Sequence, residues 1–255
     1  MTPEAMAAVV AAGVGAGAIN SVVGSGTLIT FPVLLATGLT PVTATVSNAL
    51  GLIPGSISGA IGYREELRGQ RRRVLKFGCG ALLGGLSGAT LLLMLPADAF
   101  ETIVPVLVGL ALLLVAFQPQ IGRLVQRRRT RTGASPRRDG GPLLVVGLTL
   151  ASVYGGYFTA AQGIIYLSLM GMLLDEPLQR LNGVKNVLSA LVNTVAAVFF
   201  LFAADFEWTA VGLLAVGSGL GGWAGARVGR RFSPTVLRIL VVTVGTVALV
   251  QLLLR

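Results

Sequence analysis

The sequence contains no histidine and only one cysteine, Cys79, among its 255 residues. The first absence excludes histidine-based metal sites and histidine general bases. A single cysteine can form neither an intrachain disulfide nor a Cys/His zinc cluster. The phosphate-binding pattern Gly-x-x-x-x-Gly-Lys-Ser/Thr is also missing, so we do not expect this chain to use ATP directly. We therefore predict no metal, no cofactor and no enzymatic activity.

Charged residues are also scarce: 12% of the chain is charged and 54% is hydrophobic, whereas soluble proteins carry about 25% charged residues. The mean hydropathy is +0.81. Long runs without charge approach the roughly 20 residues that a helix needs to cross a bilayer. The short alternating segments of a membrane barrel are not seen. The composition predicts an all-α polytopic membrane protein, with charge-free runs at 42–63, 77–95, 209–226 and 239–254.

The 20 basic residues are clustered rather than dispersed. All but Arg255 fall within 64–76, 123–138, 180–185 and 227–238. The positive-inside rule places such clusters in the cytoplasm. We therefore predict a multi-pass protein of the inner or plasma membrane of a prokaryote with cytoplasmic basic loops. Topology accounts for the net charge of +10, and nucleic acid is not an expected partner.

Ten apolar segments divide into two groups of five. Residues 1–117 are predicted to form a first transmembrane repeat and residues 142–255 a second. Between them, 118–141 is basic and rich in turn residues, which predicts a flexible cytoplasmic linker. The predicted segments are 5–23, 27–37, 41–62, 74–95, 99–117, 142–160, 163–174, 178–203, 206–226 and 235–254.

The two halves align when the sequence is shifted by 137 residues. GALLGGLSG, beginning at Gly80, then lies on GSGLGGWAG, beginning at Gly217, with four matched glycines. The same shift pairs Gly26 with Gly163. Five segments in each half place the basic clusters on one side only if the second repeat is inverted, with both termini outside. Three spans and a re-entrant hairpin in each half satisfy the same parity.

Two segments are too short to cross a bilayer. At 1.5 Å per residue, 27–37 and 163–174 would each cover roughly 17 Å of a core about 30 Å thick. We interpret them as half-helices that follow breaks at 23–26 and 160–163. Broken backbone at that depth is tolerated where protein or water satisfies its polar groups. Whether these segments cross fully or are re-entrant stays open at this point.

Half-helix N-termini offer free N–H groups and the positive end of the helix dipole, which bind anions. The backbone amides of 25–27 and 162–164 are therefore predicted to bind an anion near mid-membrane. Intramembrane polar side chains nearby are candidates to assist. The predicted substrate-binding residues are Asn20, Ser21, Gly24, Ser25, Gly26, Thr27, Asn48, Tyr154, Gln162, Gly163, Lys185, Asn186 and Asn193.

Structural explanations compete with these roles. Small residues at every fourth position allow helices to pack closely in lipid, and we favour packing for the glycine series that begin at Gly51, Gly80 and Gly217. Both explanations stay open for Gly24 and Gly26. Lys185 could contact substrate or snorkel to the interface, and Tyr154 could be an ordinary interfacial tyrosine.

The segments VVGSGTLITFPVLL, GLTPVTATVSNAL, YGGYFTAAQGIIYL and EPLQRLNGVKNVLSALVN resemble those of the TauE/SafE sulfite and organosulfonate exporter family. The resemblance covers nearly the whole chain except the basic linker. It implies ATP-independent movement of small anions such as sulfite, sulfonates or sulfoacetate, usually as export. Ser25 stands where a further glycine is common in the family, and Ala161 and Gln162 replace the usual glycines.

The sequence thus predicts a secondary transporter of small anions that works by alternating access. The expected partners are the anion, the lipid bilayer and a coupling ion of unspecified identity, and a homo-oligomer stays open. One alternative is an anion channel of the same architecture. The other is a membrane scaffold that recruits partners through the Arg-rich linker, although such clusters also attract anionic lipids.

Overall fold

The computed structural model describes residues 1–132, 140–228 and 234–253, and no strand occurs among them. These residues form eleven helices. In chain order they are α1 (Pro3–Val22), α2 (Thr27–Ala36), α3 (Pro41–Gly51), α4 (Ile53–Gly62), α5 (Arg71–Met94), α6 (Ala97–Thr132), α7 (Gly141–Tyr157), α8 (Gln162–Leu173), α9 (Leu178–Phe200), α10 (Trp208–Val228) and α11 (Pro234–Leu253).

Nine of the ten predicted segments correspond to single helices, and the exception is 41–62. This segment divides at Leu52 into α3 and α4. Pro54 explains the division, because it has no N–H to donate and its ring clashes with the carbonyl four residues earlier. The chain therefore bends inside a continuous apolar run.

The predicted flexible linker is wrong over its first part. Helix α6 continues through Thr132, well past the predicted segment end at residue 117. Residues 123–132 contain neither glycine nor proline and are rich in arginine, which favours helix. Residues 133–139 of the linker lie outside the described part of the chain.

Five helices are long and apolar enough to cross a membrane, judged by length and composition over the described residues. Three shorter apolar helices, α2, α7 and α8, accompany them. This confirms the predicted all-helical, multi-pass class. The five spans are Pro3–Val22, Arg71–Met94, Asp98–Gln120, Leu178–Phe200 and Trp208–Arg227.

Helices α1 and α10 pack through glycine. A methyl group on Gly17 would lie 2.2 Å from the carbonyl oxygen of Ser218, and one on Gly221 would lie 2.0 Å from that of Val14. Gly13 lies against Gly217, so residue numbers rise together along the contact and the two helices run parallel.

Helices α5 and α7 pack in the same way. Gly80 lies against Thr149, and a methyl group on Gly88 would lie 2.0 Å from the carbonyl oxygen of Val153. These helices are therefore parallel to each other as well. The contacts confirm the prediction that the two glycine series allow close helix packing.

The two parallel pairs run in opposite directions. Gly51 lies against Leu214 and Gly62 against Ala226, so the α3–α4 segment runs along α10 in the same direction. Only residues 63–70 separate α4 from α5, which therefore returns from the end that α4 has reached. Helix α5 is consequently antiparallel to α4 and α10.

An ion pair and a hydrogen bond join the two halves at the end where α5 begins, here called the basic end. Arg73 on α5 contacts Glu176 at 2.9 Å, and Arg180 on α9 contacts the same carboxylate at 2.7 Å. The Gln70 amide donates to the backbone carbonyl of Arg180 at 3.3 Å. Burial raises the pKa of Glu176, but the hydrogen bonds and charges of both arginines outweigh it and hold this pKa below the usual glutamate value.

Substituting Glu176→Gln should destabilise the protein by about 1 kcal/mol or less, because the ion pairs are partly exposed to solvent. Since the folded-state pKa of Glu176 is lowered, its contribution is present above the unfolded pKa and is lost as the pH falls through the folded pKa. Thermal unfolding in detergent at neutral and acidic pH measures the effect. A difference between wild type and variant that grows in acid would contradict this account.

Two helix pairs turn back inside the molecule. Helix α7 starts near the start of α5, and the α8–α9 loop that carries Glu176 returns to the same basic end. Helix α1 starts near the start of α10. The α2–α3 connection returns to that opposite end, where the Glu207 N–H donates to the Ser47 hydroxyl at 3.0 Å. We call α1–α2 the first hairpin and α7–α8 the second hairpin.

Candidate functional site

The tips of the two hairpins touch. The Gly163 N–H donates to the Gly24 carbonyl at 3.1 Å. A methyl group on Gly24 would lie 2.5 Å from the Cα of Gly163, and one on Gly163 would lie equally close to the Cα of Gly24. Only glycine at both positions allows this approach. The residue that meets Gly163 is Gly24, not Gly26, which the internal repeat places at the position equivalent to Gly163.

Backbone conformation sets where the helices break. Gly24 has a φ of +89°, a region that glycine adopts without steric cost. In the second hairpin, Thr159 and Ala161 have φ values of 65° and 58°, which are unusual for residues with a Cβ. The second break therefore spans 158–161, two residues earlier than predicted.

Lys185 lies at the contact between the hairpins and is 0% exposed. Its Nζ donates to the backbone carbonyl of Asn20 at 2.6 Å and to that of Ser21 at 3.1 Å. These carbonyls belong to the last turn of α1, where they carry the negative end of the helix dipole. Lys185 therefore points into the protein, and the snorkelling interpretation is wrong.

Asn186 also connects α9 to the end of α1. Its amide nitrogen donates to the Ser21 carbonyl at 3.2 Å, so two neighbouring side chains of α9 bind the end of α1. The Asn20 side chain serves the first break itself, because its Oδ1 accepts from the Gly26 N–H at 2.8 Å. The contact region of hairpin tips and α9 thus contains six of the predicted residues, namely Asn20, Ser21, Gly24, Gly163, Lys185 and Asn186.

Asn48 lies in a separate polar group. Its amide nitrogen donates to the Thr27 hydroxyl at 3.2 Å, and its Oδ1 accepts a short hydrogen bond from the Thr30 hydroxyl. The side chain therefore joins α3 to α2. Thr30 was not predicted, although a hydroxyl one turn after Thr27 faces the same side of the helix.

Gln162 reaches back into its own hairpin. Its amide donates to the Tyr166 hydroxyl at 2.6 Å, which also lies 2.6 Å from the Ser152 hydroxyl. Gly155 makes room, since a methyl group there would lie 2.1 Å from the Gln162 side chain. Ser152 and Tyr166 were not predicted as site residues. The only sequence signal for them is that each places a hydroxyl group on a largely apolar helix, α7 and α8 respectively.

Three predicted residues carry a buried polar atom with no hydrogen-bond partner among the described residues: Ser25 Oγ, Tyr154 OH and Asn193 Oδ1. Ser25 and Asn193 are 1% and 2% exposed. Buried polar groups are normally paired, so unpaired ones suit a site that binds a ligand.

The predicted row of anion-binding amides is only partly available. The N–H groups of Gln162, Gly163 and Ile164 donate to the carbonyls of Thr159, Gly24 and Ala161. The Gly26 amide donates to Asn20. The hairpins therefore satisfy these donors through each other and through their own turns.

The space beside the contact is small. A cavity of about 10 Å³ lies between α2, α6 and the second break, near the minimum volume that holds one water molecule. Its lining is almost entirely apolar. Lys185 and both tip glycines are buried, so the contact region is closed in this conformation. The lining residues are Thr27, Leu28, Phe31, Pro32, Leu35, Val108, Phe158 and Ala160.

Known proteins resemble this chain over nearly its whole length. It is 28% identical to the probable membrane transporter protein YfcA of Escherichia coli (strain K12) over 244 residues, 93% of this chain and 86% of that protein. The probable membrane transporter protein ORF9 of Sinorhizobium sp is 28% identical over 86% of this chain and 79% of its own length. A probable membrane transporter protein of Haemophilus influenzae (strain ATCC 51907 / DSM 11121 / KW20 / Rd) is 25% identical over 88% and 85%, respectively. No solved structure matches the chain.

The family profile described as "Sulfite exporter TauE/SafE" matches residues 9–252. This match leaves out residues 1–8 and 253–255, so it includes both helix breaks and the whole second hairpin. Together with the transporter relatives and the five candidate spans, it identifies a multi-pass membrane transporter. The chain belongs to the TauE/SafE sulfite exporter family.

Proposed function

We propose that this protein is a secondary transporter that exports small anions such as sulfite or sulfonates by alternating access. The observation that carries the proposal is the fully buried Lys185 at the contact between two broken helix pairs. A buried cation inside a membrane protein is costly and marks a substrate or ion pathway. The family description, which names sulfite, supports an anionic substrate.

The anion would replace backbone carbonyls as the partner of Lys185. In the closed conformation its ammonium group is bound by the carbonyls of Asn20 and Ser21. Sulfite or sulfonate oxygens carry more negative charge than carbonyl oxygens and form stronger, charge-assisted hydrogen bonds. The unpaired Ser25 hydroxyl is a further donor beside the first break. Binding would therefore loosen the connection between α9 and α1.

Inverted repeats would give the transporter its two access routes. In the proposed arrangement, α1, α4 and α10 run in one direction and α5, α7 and α9 run in the other. Parallel packing of α1 with α10 and of α5 with α7 supports this, because each pair combines the first helix of one repeat with the glycine-rich helix of the other. The first and second hairpins would then be re-entrant from opposite sides, and rocking of the repeats would expose Lys185 alternately.

The orientation follows from charge. The basic end holds Arg73 and Arg180, and acidic residues such as Asp205 and Glu207 precede α10 at the opposite end. We propose that the basic end is cytoplasmic, in the inner or plasma membrane of a prokaryote, with both termini outside. The proposed transport cycle is compatible with a coupling ion of unspecified identity, and the proposed transporter is compatible with a homo-oligomer.

Deleting residues 127–138 should leave at least about half of the transport activity, because an Arg-rich segment beside a membrane fixes topology rather than binding substrate. Transport by proteoliposomes of equal protein content measures this. A scaffold that acts through the linker would lose its function on deletion. Loss of transport in correctly inserted, folded protein would show that the linker does more than fix topology and would contradict this prediction.

Counterflow in proteoliposomes tests the proposed function. Vesicles loaded with unlabelled sulfite, and separately with a small sulfonate, should take up the labelled anion in a saturable manner that depends on the internal anion. A channel would give flux that neither saturates nor responds to internal substrate. Absence of exchange with all tested sulfur oxyanions, in folded protein, would contradict the proposal.

A further inference from the structure

The interior of the protein holds one positive charge and no negative one among the described residues. Lys185 is the only buried charged side chain among the residues whose side-chain burial the structure describes. The described acidic residues are exposed or partly exposed and lie near helix ends or in loops. The Lys185 ammonium contacts neutral carbonyls, so its charge is not compensated by a carboxylate.

The neighbours of this charge are neutral. Asn186 contributes an amide, and Gly163 and Gly24 contribute backbone. A methyl group on Gly163 would lie 3.0 Å from Lys185 Cδ, so the lysine chain is enclosed by the hairpin contact. The charge is therefore enclosed by uncharged groups in the protein interior, where an unbalanced charge is costly.

We infer that the site accepts anions with one negative charge and discriminates against those with two. This inference rests on the proposed function and specifies its substrate class. A monoanion beside Lys185 forms a neutral pair, whereas a dianion leaves one negative charge uncompensated in the interior. Burying an uncompensated charge is strongly unfavourable. The preferred substrates are thus simple sulfonates and hydrogensulfite, rather than sulfite dianion, sulfate or sulfoacetate.

Isethionate and sulfoacetate form a pair of similar size for the test. Each has a sulfonate on a two-carbon chain, but isethionate ends in a hydroxyl and sulfoacetate in a carboxylate. At a pH where that carboxylate is ionised, counterflow should be about 100-fold faster for isethionate, the ratio expected from an uncompensated charge. Equal rates would overturn the inference and leave the proposed function standing. Exchange of neither sulfonate by protein that exchanges sulfite would overturn the inference alone, and absence of exchange with all three anions in folded protein would overturn both.

The methyl ester of sulfoacetate separates charge from shape. It keeps the carbon skeleton and adds bulk, but it carries only one negative charge. Uptake within a few-fold of the isethionate rate is expected if charge decides selection. Uptake as slow as that of sulfoacetate would show that size or the carbonyl group decides, and the inference would fail.

Discussion

Lys185→Met should reduce anion counterflow by about 100-fold or more while leaving the protein folded. The variant removes the one buried positive charge beside the hairpin contact, and losing a charged partner of a buried anion typically costs about 3–5 kcal/mol. Methionine has a similar length and no charge to bury, so stability should change little. Asn186 still donates to the Ser21 carbonyl in the variant.

The other lysine of the chain provides the control. Lys76 is exposed to solvent on α5. Lys76→Met removes an equal charge without touching the hairpins, and it should retain most of the wild-type transport. Thermal unfolding in detergent verifies that both variants are folded. Wild-type exchange in Lys185→Met would reduce Lys185 to a structural connection between α9 and α1.

Gly24→Ala should destabilise the protein strongly and abolish transport. The added Cβ would lie 2.5 Å from the Cα of Gly163, and Gly24 also has a φ of +89°. Backbone atoms cannot yield as the end of a side chain can, so the hairpin tips must separate. We expect a loss of about 3 kcal/mol or more, which is at the high end for single substitutions.

Two other glycines separate the causes. Gly38 has a φ of +92°, and no atom lies within 4 Å of the position that an added methyl group would take, so Gly38→Ala tests backbone strain alone. It should cost about 1–2 kcal/mol. Gly163→Ala has no such strain, but its methyl group would lie 2.5 Å from the Gly24 Cα and 3.0 Å from Lys185 Cδ, so it tests the close packing of the tip contact without backbone strain. If Gly163→Ala behaves like wild type in stability and transport, the tip contact has no functional importance.

Most of the fold could be predicted because lipid imposes simple requirements. Apolar runs identified the helices, and repeated glycines identified α5 and α10 as close-packing helices. Residues 41–62 were predicted as one segment, although Pro54 favours a kink, because the apolar run there is unbroken. The extension of α6 to Thr132 was missed because basic residues were interpreted only as a loop signal.

The candidate site was predictable in its members but not in its pairings. Glycines and polar residues at the breaks drew attention to Gly24, Gly163 and Lys185. The partners of Lys185 are backbone carbonyls more than 160 residues away in sequence, and backbone carbonyls have no residue signature. The hydrogen bond between Gln162 and Tyr166 could not be predicted for a related reason, because no sequence pattern distinguishes a tyrosine that accepts a hydrogen bond from one that only packs in an apolar helix.

Alternating exposure of the first break is the central claim, and cysteine accessibility tests it most directly. Ser25 is 1% exposed and its hydroxyl has no partner among the described residues, so Ser25→Cys breaks no hydrogen bond of the closed fold. In a Cys79→Ser background, a membrane-impermeant thiol reagent should label this position slowly from either side of the membrane. Saturating isethionate should change the two rates in opposite directions or block both. Labelling from one side only, at a rate that substrate does not alter, would contradict alternating access.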